Sequence, residues 1–393
     1  MKWEMCTLGE ISSNIQTGPF GSQLHQSDYS ETGTPVVMPK DLINGQITES
    51  SIARVDDSHV IRLSKHQIKN GDIIYSRRGD VGRCAYATKK EQGWLCGTGC
   101  LRVTIDRIRA NAKFVFYQLQ KNETIGWVEN HAVGSTMLNL NTSILSNIPI
   151  CIPDTETQNR IADILSAYDD LIENNQRQIK LLEEAAQRLY KEWFVDLRFP
   201  GHEHTAIVDG VPEGWSRKKL IDIADVQYGY AFDGSLFNSS CQGTPIIRIR
   251  NIPDGFTNDY TTEETDDKYL VNNGDIVVGM DGEFHINTWG GDAAYLVQRT
   301  CRIKPINPVF HGWLLYAIYE PIKFYEKTLV GATVAHLGKK HIDSIELLVG
   351  TNELYIPFQE YYDKRLILMN QSRKLKEARD RLLPKLMSGE MEV

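Results

Sequence analysis

Asn70-Gly71-Asp72-Ile73-Ile74 and Asn273-Gly274-Asp275-Ile276-Val277 are one pattern written twice, 203 residues apart. In each, a Gly-Asp turn leads into a β-branched run, the signature of a chain entering a strand. The match extends in both directions. Upstream, Trp3-x4-Leu8-Gly9-Glu10-Ile11 answers Trp215-x4-Leu220-Ile221-Asp222-Ile223, and Gly33-Thr34-Pro35-Val36-Val37 answers Gly243-Thr244-Pro245-Ile246-Ile247. Downstream, Val133-Gly134-Ser135-Thr136 answers Val330-Gly331-Ala332-Thr333, and Ile179 answers Leu375. The offset falls steadily from 212 to 196, as it does when one copy has lost loop residues. The chain is an internal duplication.

Each copy opens with short β-branched runs, such as Pro35-Val36-Val37-Met38 and Ile246-Ile247-Arg248-Ile249, between Gly, Asn and Asp turns. Each closes on a long helix. The first follows Pro153 with Thr155-x-x-Gln158, read as a capping box. Ile161, Tyr168, Leu182 and Leu189 then share one seven-residue register, with Ile164, Leu171 and Ala185 as its companion. Asn175 interrupts the stripe, either buried to set the pairing register or facing solvent. In the second helix Leu354, Tyr361, Leu368, Leu375 and Leu382 recur every seven residues, with Phe358 and Leu386 extending the stripe. Residues 155–195 hold 5 basic and 8 acidic side chains, whereas 356–388 hold 8 basic and 4 acidic. Opposite charge favours pairing of the two helices with each other, antiparallel because a whole β-rich domain intervenes. Helices of this length span on the order of 50 Å at ~1.5 Å per residue.

The expected architecture is α+β with a pseudo-twofold internal repeat: two β-rich domains separated by two long antiparallel coiled-coil helices. The boundaries expected are a first domain at 1–153, a helix at 154–196, a connector at 197–212, a second domain at 213–352, a second helix at 353–388 and a tail at 389–393. Hydrophobic residues at 41% and charged residues at 24% are ordinary for a folded protein. No run of about 18 apolar residues and no secretory leader pattern is present, so no membrane association and a cytoplasmic location are expected. Seven scattered cysteines without a C-x-x-C pair read as reduced thiols, with Cys96 and Cys100 too few to make a metal site alone. The net charge of −8 opposes nucleic-acid binding, because phosphate contacts need Lys and Arg. That charge is unevenly spread: residues 1–154 carry 16 basic and 15 acidic groups, residues 210–352 carry 13 and 18. The second half must concentrate its positive charge locally or borrow it from a partner.

The helix ends carry the most specific signatures. Trp193-Phe194-Val195-Asp196-Leu197-Arg198-Phe199-Pro200-Gly201-His202-Glu203 and Leu382-Leu383-Pro384-Lys385-Leu386-Met387-Ser388-Gly389-Glu390 resemble the specificity subunits of type I restriction-modification enzymes, over nearly the whole chain. The Gly134-Ser135-Thr136…Leu140 stretch is also typical, whereas Pro357-Phe358-Gln359-Glu360 departs from the Glu-Gln start seen in many members. The resemblance implies two target-recognition domains that read an asymmetric, bipartite duplex DNA site. It implies two methylation subunits docked on the helices and two restriction subunits beyond them. S-adenosylmethionine, ATP and magnesium would belong to those partners, with no cofactor and no catalysis in this chain.

Base edges are read by Arg, Lys, Asn and Gln, and phosphates are held by basic and hydroxyl groups. On glycine-flanked loops of the first domain the candidates are Thr17, Phe20, Ser22, Gln23, Arg77, Arg78, Arg83 and Ser135, with Lys40. In the second they are Tyr228, Tyr230, Arg248, Arg250, Asn251, Thr333, Lys339 and Lys340. Helix pairing or partner docking is assigned to Ile161, Tyr168, Asn175, Leu182, Leu189, Trp193, Tyr361, Leu368, Leu375, Leu382 and Leu386. Neither a methyltransferase glycine loop with its Asn/Asp-Pro-Pro-aromatic motif nor a G-x-x-x-x-G-K-[ST] phosphate loop occurs. One enzymatic alternative stays open: Asp281, Glu283 and His285 alternate in an expected strand and could face one side around a divalent metal, as a nuclease requires. A structural alternative is a coiled-coil spacer whose β domains bind protein or carbohydrate.

Overall fold

The computed structural model describes residues 3–19, 23–134, 137–328 and 335–393. It divides into two compact units, Met1–Asp170 with Lys376–Val393, and Leu171–Leu375. Both are α+β. In the first, strand Glu4–Thr7 pairs antiparallel with Pro149–Ile152, so the domain's beginning is stitched to its end. A four-stranded sheet runs in the order Ser12–Thr17, Cys100–Ile105, Ile73–Ser76, Cys84–Tyr86, and in a second sheet Leu95–Cys96 lies parallel to Thr34–Val37.

The second unit repeats this topology. Ser216–Lys219 pairs with Glu346–Val349. A four-stranded sheet runs Ala224–Tyr228, Thr300–Pro305, Ile276–Gly279, Ile286–Thr288, and Thr244–Ile247 lies parallel to Ala294–Leu296. The shared Asn-Gly-Asp turn shows why the pattern recurs. Gly71 and Gly274 sit at φ +92° and +96°, where a side chain is strained. The buried carboxylates after them accept from backbone N–H groups at 2.8 Å, Lys69 to Asp72 and Asn272 to Asp275. Each turn therefore supplies its own acceptor, and the strand behind it leaves in the same direction.

The first long helix runs Thr155–Tyr190 and continues as a π turn over Lys191–Val195. Its cap is Asp154 rather than the expected Thr155: Asp154 Oδ1 accepts from Thr157 N at 2.9 Å. Gln158 instead turns inward, donating to Pro153 O at 2.8 Å and accepting from Asn111 N at 2.9 Å, which ties the helix start to the domain before it. The second long helix is preceded by a 3-10 turn over Asn352–Tyr355, which takes Leu354 out of the helical stripe, and runs Ile356–Ser388 through Pro384.

The helices pair antiparallel within each unit. In the first, Arg379 Nη1 donates to Asp169 Oδ1 at 2.7 Å and Tyr117 Oη to Asp169 Oδ2 at 2.5 Å. In the second, Arg365 Nε donates to Glu183 Oε1 at 2.6 Å and Arg365 Nη2 to Asn287 Oδ1 at 2.6 Å. The antiparallel sense is fixed inside each unit: Arg160 Nη1 donates to Val393 O beside the Asp169–Arg379 pair of the first, and Trp193 packs edge-on against Phe358 beside the Glu183–Arg365 pair of the second. Both pairs join an acidic side chain of the first helix to an arginine of the second, the direction in which their charges differ.

Ile161, Asn175 and Leu386 are buried, and Tyr168, Leu182, Leu189, Trp193, Tyr361, Leu368, Leu375 and Leu382 are half-buried. Asn175 thus takes the buried alternative. The expected companion stripe needs correction, because Ile164 and Leu171 are exposed while Leu165, Ile172, Ile179 and Ala186 turn inward. Those positions follow the primary stripe by four residues, not three. At 100° per residue the i+4 positions lie on the side where each β domain packs, and Leu165 and Ala186 join the two domain cores. Among the described residues, no helix is long and apolar enough to cross a membrane.

Candidate nucleic-acid interface

Four loops converge at one end of the sheets in each domain. In the first domain, the Thr17-Gly18-Pro19 loop lies against the turn at 97–99: Gly18 N donates to Cys100 O and Thr98 Oγ1 to Pro19 O, both at 2.9 Å. A Cβ on Gly18 would collide with the Gly97 carbonyl, so glycine is required for the approach. Arg77 N donates to Gly99 O at 2.7 Å, Leu140 N to Arg77 O at 2.8 Å and Gly79 N to Leu138 O at 3.1 Å, which ties residues 77–79 both to the turn at 97–99 and to residues 138–140.

The second domain builds the same cluster. Gly229 N donates to Thr300 O at 2.9 Å, and a Cβ on Gly229 would strike the Val297 carbonyl. Met280 N donates to Arg299 O at 2.8 Å, Leu337 N to Met280 O at 2.8 Å and Gly282 N to Ala335 O at 3.0 Å. Tyr230 packs between Phe232 and Tyr269, with ring centroids 4.8 and 5.3 Å away.

The expected reading residues are distributed as follows. Thr17 pairs in the sheet opposite Leu101, half-buried, and Gln23 is half-buried with its carbonyl taking a bond from Arg62 at 2.8 Å. Arg78 is exposed on the loop, and Arg77 is held by Leu140 O at 3.3 Å from its Nε. Arg83 grips Asp80 at 2.7 Å, and Lys40 donates to Ser51 O at 2.7 Å. In the second domain Arg248 lies over the Phe237 ring at 5.6 Å, and its N donates to Asn251 Oδ1 at 2.8 Å. Arg250 forks onto Asp259. Burial opposes ionisation of Asp259, yet the hydrogen bonds from Arg250 and Asn251 hold its carboxyl below the ordinary value. The Tyr228 hydroxyl is buried, which pushes its pKa well above the usual value and keeps it off the loop surface. Lys339 and Lys340 are exposed on the short helix Lys339–Asp343. Phe20, Ser22, Ser135 and Thr333 lie outside the described residues.

The metal-site alternative fails on geometry. Positions 281–285 form a turn around Gly282 at φ +69°, not a strand, and regular pairing starts only at Ile286. Asp281 is engaged by Arg299 at 3.0 Å and His336 at 2.5 Å, whereas His285 lies 3.7 Å from Glu283. Among the described residues, no group of three or more His, Cys, Asp or Glu side chains is poised for a metal. The turn carrying Thr98-Gly99 and Gln298-Arg299 was missed by sequence reasoning, although Gly97-Thr98-Gly99 has the same glycine-flanked character as the loops selected.

A second surface lies on the helices of the unit Leu171–Leu375. Leu181 and Ile367 are 60% and 55% exposed, and with Leu182, Leu368 and Lys364 they line a groove of about 380 Å³. Leu181 and Ile367 thus form an apolar strip open to solvent.

Comparison with known proteins identifies one family. The family described as type I restriction modification DNA specificity domain matches residues 1–184 and 212–371, one match per copy. The chain is 26% identical over 386 residues to the type I restriction enzyme MjaIX specificity subunit of Methanocaldococcus jannaschii, covering 93% of this chain and 88% of that one. It is 23% identical over 468 residues to the HindI specificity subunit of Haemophilus influenzae, covering 99% of each. The fold is similar to the crystal structure of the S subunit from M. genitalium, with a TM-score of 0.59 at 17% identity over 98% of this chain and 96% of that chain.

Proposed function

Because this chain belongs to the type I restriction-modification DNA-specificity family, we propose that it is the sequence-reading subunit of a multi-subunit restriction-modification enzyme, with no reaction of its own. The observation that carries this reading is the four-loop cluster built twice, once in each domain, from the same backbone hydrogen bonds. Two copies with different side chains suit two different half-sites of an asymmetric duplex DNA sequence. Methylation subunits, two per chain, would dock on the paired helices, and the Leu181–Ile367 strip offers an apolar surface for one of them. Two restriction subunits would complete the enzyme. S-adenosylmethionine, ATP and magnesium would then be held by those partners, in the cytoplasm, where the DNA is.

Partner docking also answers the charge problem. A chain of net charge −8 makes few phosphate contacts alone, and bound subunits can supply the rest. Co-expression with the methylation partner should yield one copy of this chain with two methylation chains, and failure to co-purify at low salt would defeat the assignment. Methylome sequencing of cells with and without the gene should show one bipartite motif that disappears with it.

A further inference from the structure

The duplication supplies an internal comparison at the loop cluster. Three positions correspond by backbone hydrogen bonding. Arg78 bridges Asn139 in the first domain as Asp281 bridges His336 in the second, and Gly99 O accepts from Arg77 N as Arg299 O accepts from Met280 N. The triangle Arg78, Asn139, Gly99 has become Asp281, His336, Arg299. One arginine is kept in each, moved from one corner to another.

The corner it moved to is a costly place for it. Gly99 sits at φ +87° and Arg299 at φ +71°, so the turn demands the left-handed region in both copies, and only the first copy uses glycine there. A long side chain held in that conformation is retained where the surrounding structure and its use require it. Arg299 is well exposed, and its guanidinium lies 3.0 Å from Asp281 Oδ2. His336 Nδ1 is 2.5 Å from Asp281 Oδ1, so the ring nitrogen donates its proton to the carboxylate. Two donors thus converge on one acceptor, and the 3.4 Å separation of Arg299 and His336 is the contact between them.

We propose that Arg299 is a base-reading residue of the second domain, aimed by Asp281 and His336 at a paired acceptor edge such as guanine N7 and O6 in the major groove. This rests on the specificity-subunit reading above. The adjacent carboxylate cancels the charge of Arg299 at short range, which weakens any indiscriminate pull towards phosphate. It also orients the planar fork whose geometry matches two adjacent acceptors. Asp281 and His336 are positioning residues. Asp281 engages Arg299 through Nη1, so Arg299 can keep that contact while the Nε–Nη2 edge of its guanidinium meets the two acceptors of the base.

The test uses the complex assembled with its methylation partner, on a randomised duplex library read by methylation and by retention. Arg299→Gly places in the second copy the residue that the first copy already has at this turn, so folding is preserved and Tm is unchanged or higher. Wild-type complex should give a bipartite motif. Arg299→Gly should keep that motif but lose preference at one position of one half-site, by about 5- to 150-fold. Asp281→Ala should lower the preference at the same position while raising retention of unrelated duplex at low salt, an effect that a merely structural role would not produce. An unchanged motif for Arg299→Gly overturns the inference and leaves the specificity-subunit reading intact. A uniform loss across sequences, with the salt slope reduced by about one, overturns it in favour of a phosphate contact. Absence of any motif for the wild-type complex overturns both readings.

Discussion

Glu183 and Arg365 form an ion pair with unequal ends, and the inequality sets the outcome of removing either one. The Arg365 side chain is 6% exposed and that of Glu183 is 36% exposed. Arg365→Met removes the buried cation with its bonds to Glu183 and Asn287, and Glu183 recovers water on its open side. The expected loss is about 1–2 kcal/mol, the net value of the hydrogen bonds. Glu183→Ala leaves the guanidinium buried beside Asn287 with its counter-charge gone, at about 3–5 kcal/mol. The double variant buries no charge and should resemble Arg365→Met alone. The double-mutant cycle therefore closes with a coupling equal to the cost of Glu183→Ala alone, about 3–5 kcal/mol, far outside the scatter of independent sites. Urea unfolding of the full chain, with hydrogen exchange at amides 360–372 to locate the loss, measures all four corners. If Glu183→Ala is no worse than Arg365→Met, or if the two losses add, the buried cation is not what holds these helices together.

Phe194 packs within 5.2–5.9 Å of the rings of Trp215, Trp313, Tyr355, Phe358 and Tyr190, so Phe194→Ala should cost about 3–5 kcal/mol, read in the same urea transition with Trp fluorescence. Gly18→Ala and Gly229→Ala each force a Cβ against a carbonyl, and methylome sequencing should show each blurring a different half of the motif. Leu181→Arg with Ile367→Glu should abolish co-purification with the methylation partner while shifting stability by less than about 1 kcal/mol, because both side chains face solvent. Burial pushes the thiols of Cys84, Cys96 and Cys301 up to about 12. At pH 8 iodoacetamide should therefore label the exposed Cys241 and spare these three until the chain is unfolded. Their folded pKa values lie above the unfolded ones, so their contribution to stability is complete below pH 9 and is lost as pH rises towards 12, by about 1.4 kcal/mol per thiol per pH unit.

The repeat, the α+β class and the helix pairing were legible in one sequence because each is encoded locally. A Gly-Asp turn before Ile73 or Ile276 needs no distant partner to be recognised, and a seven-residue stripe with opposite net charge identifies its mate. Burial of Asn175 was not legible, since period alone cannot say which face meets a domain. The companion stripe was misplaced for the same reason: Ile164 and Leu165 are both apolar, and only the packed β domain decides which turns inward. The interface divides likewise. Arg77, Arg78 and Tyr230 announced themselves by composition and flanking glycines. Arg299 did not, because its role depends on a left-handed turn and on Asp281 and His336, which lie 18 residues before it and 37 after it in the chain. Local chemistry determines which elements form. Which side chains stand together is decided by sheet register, which brings remote loops to one edge and lets no short window of sequence foretell it.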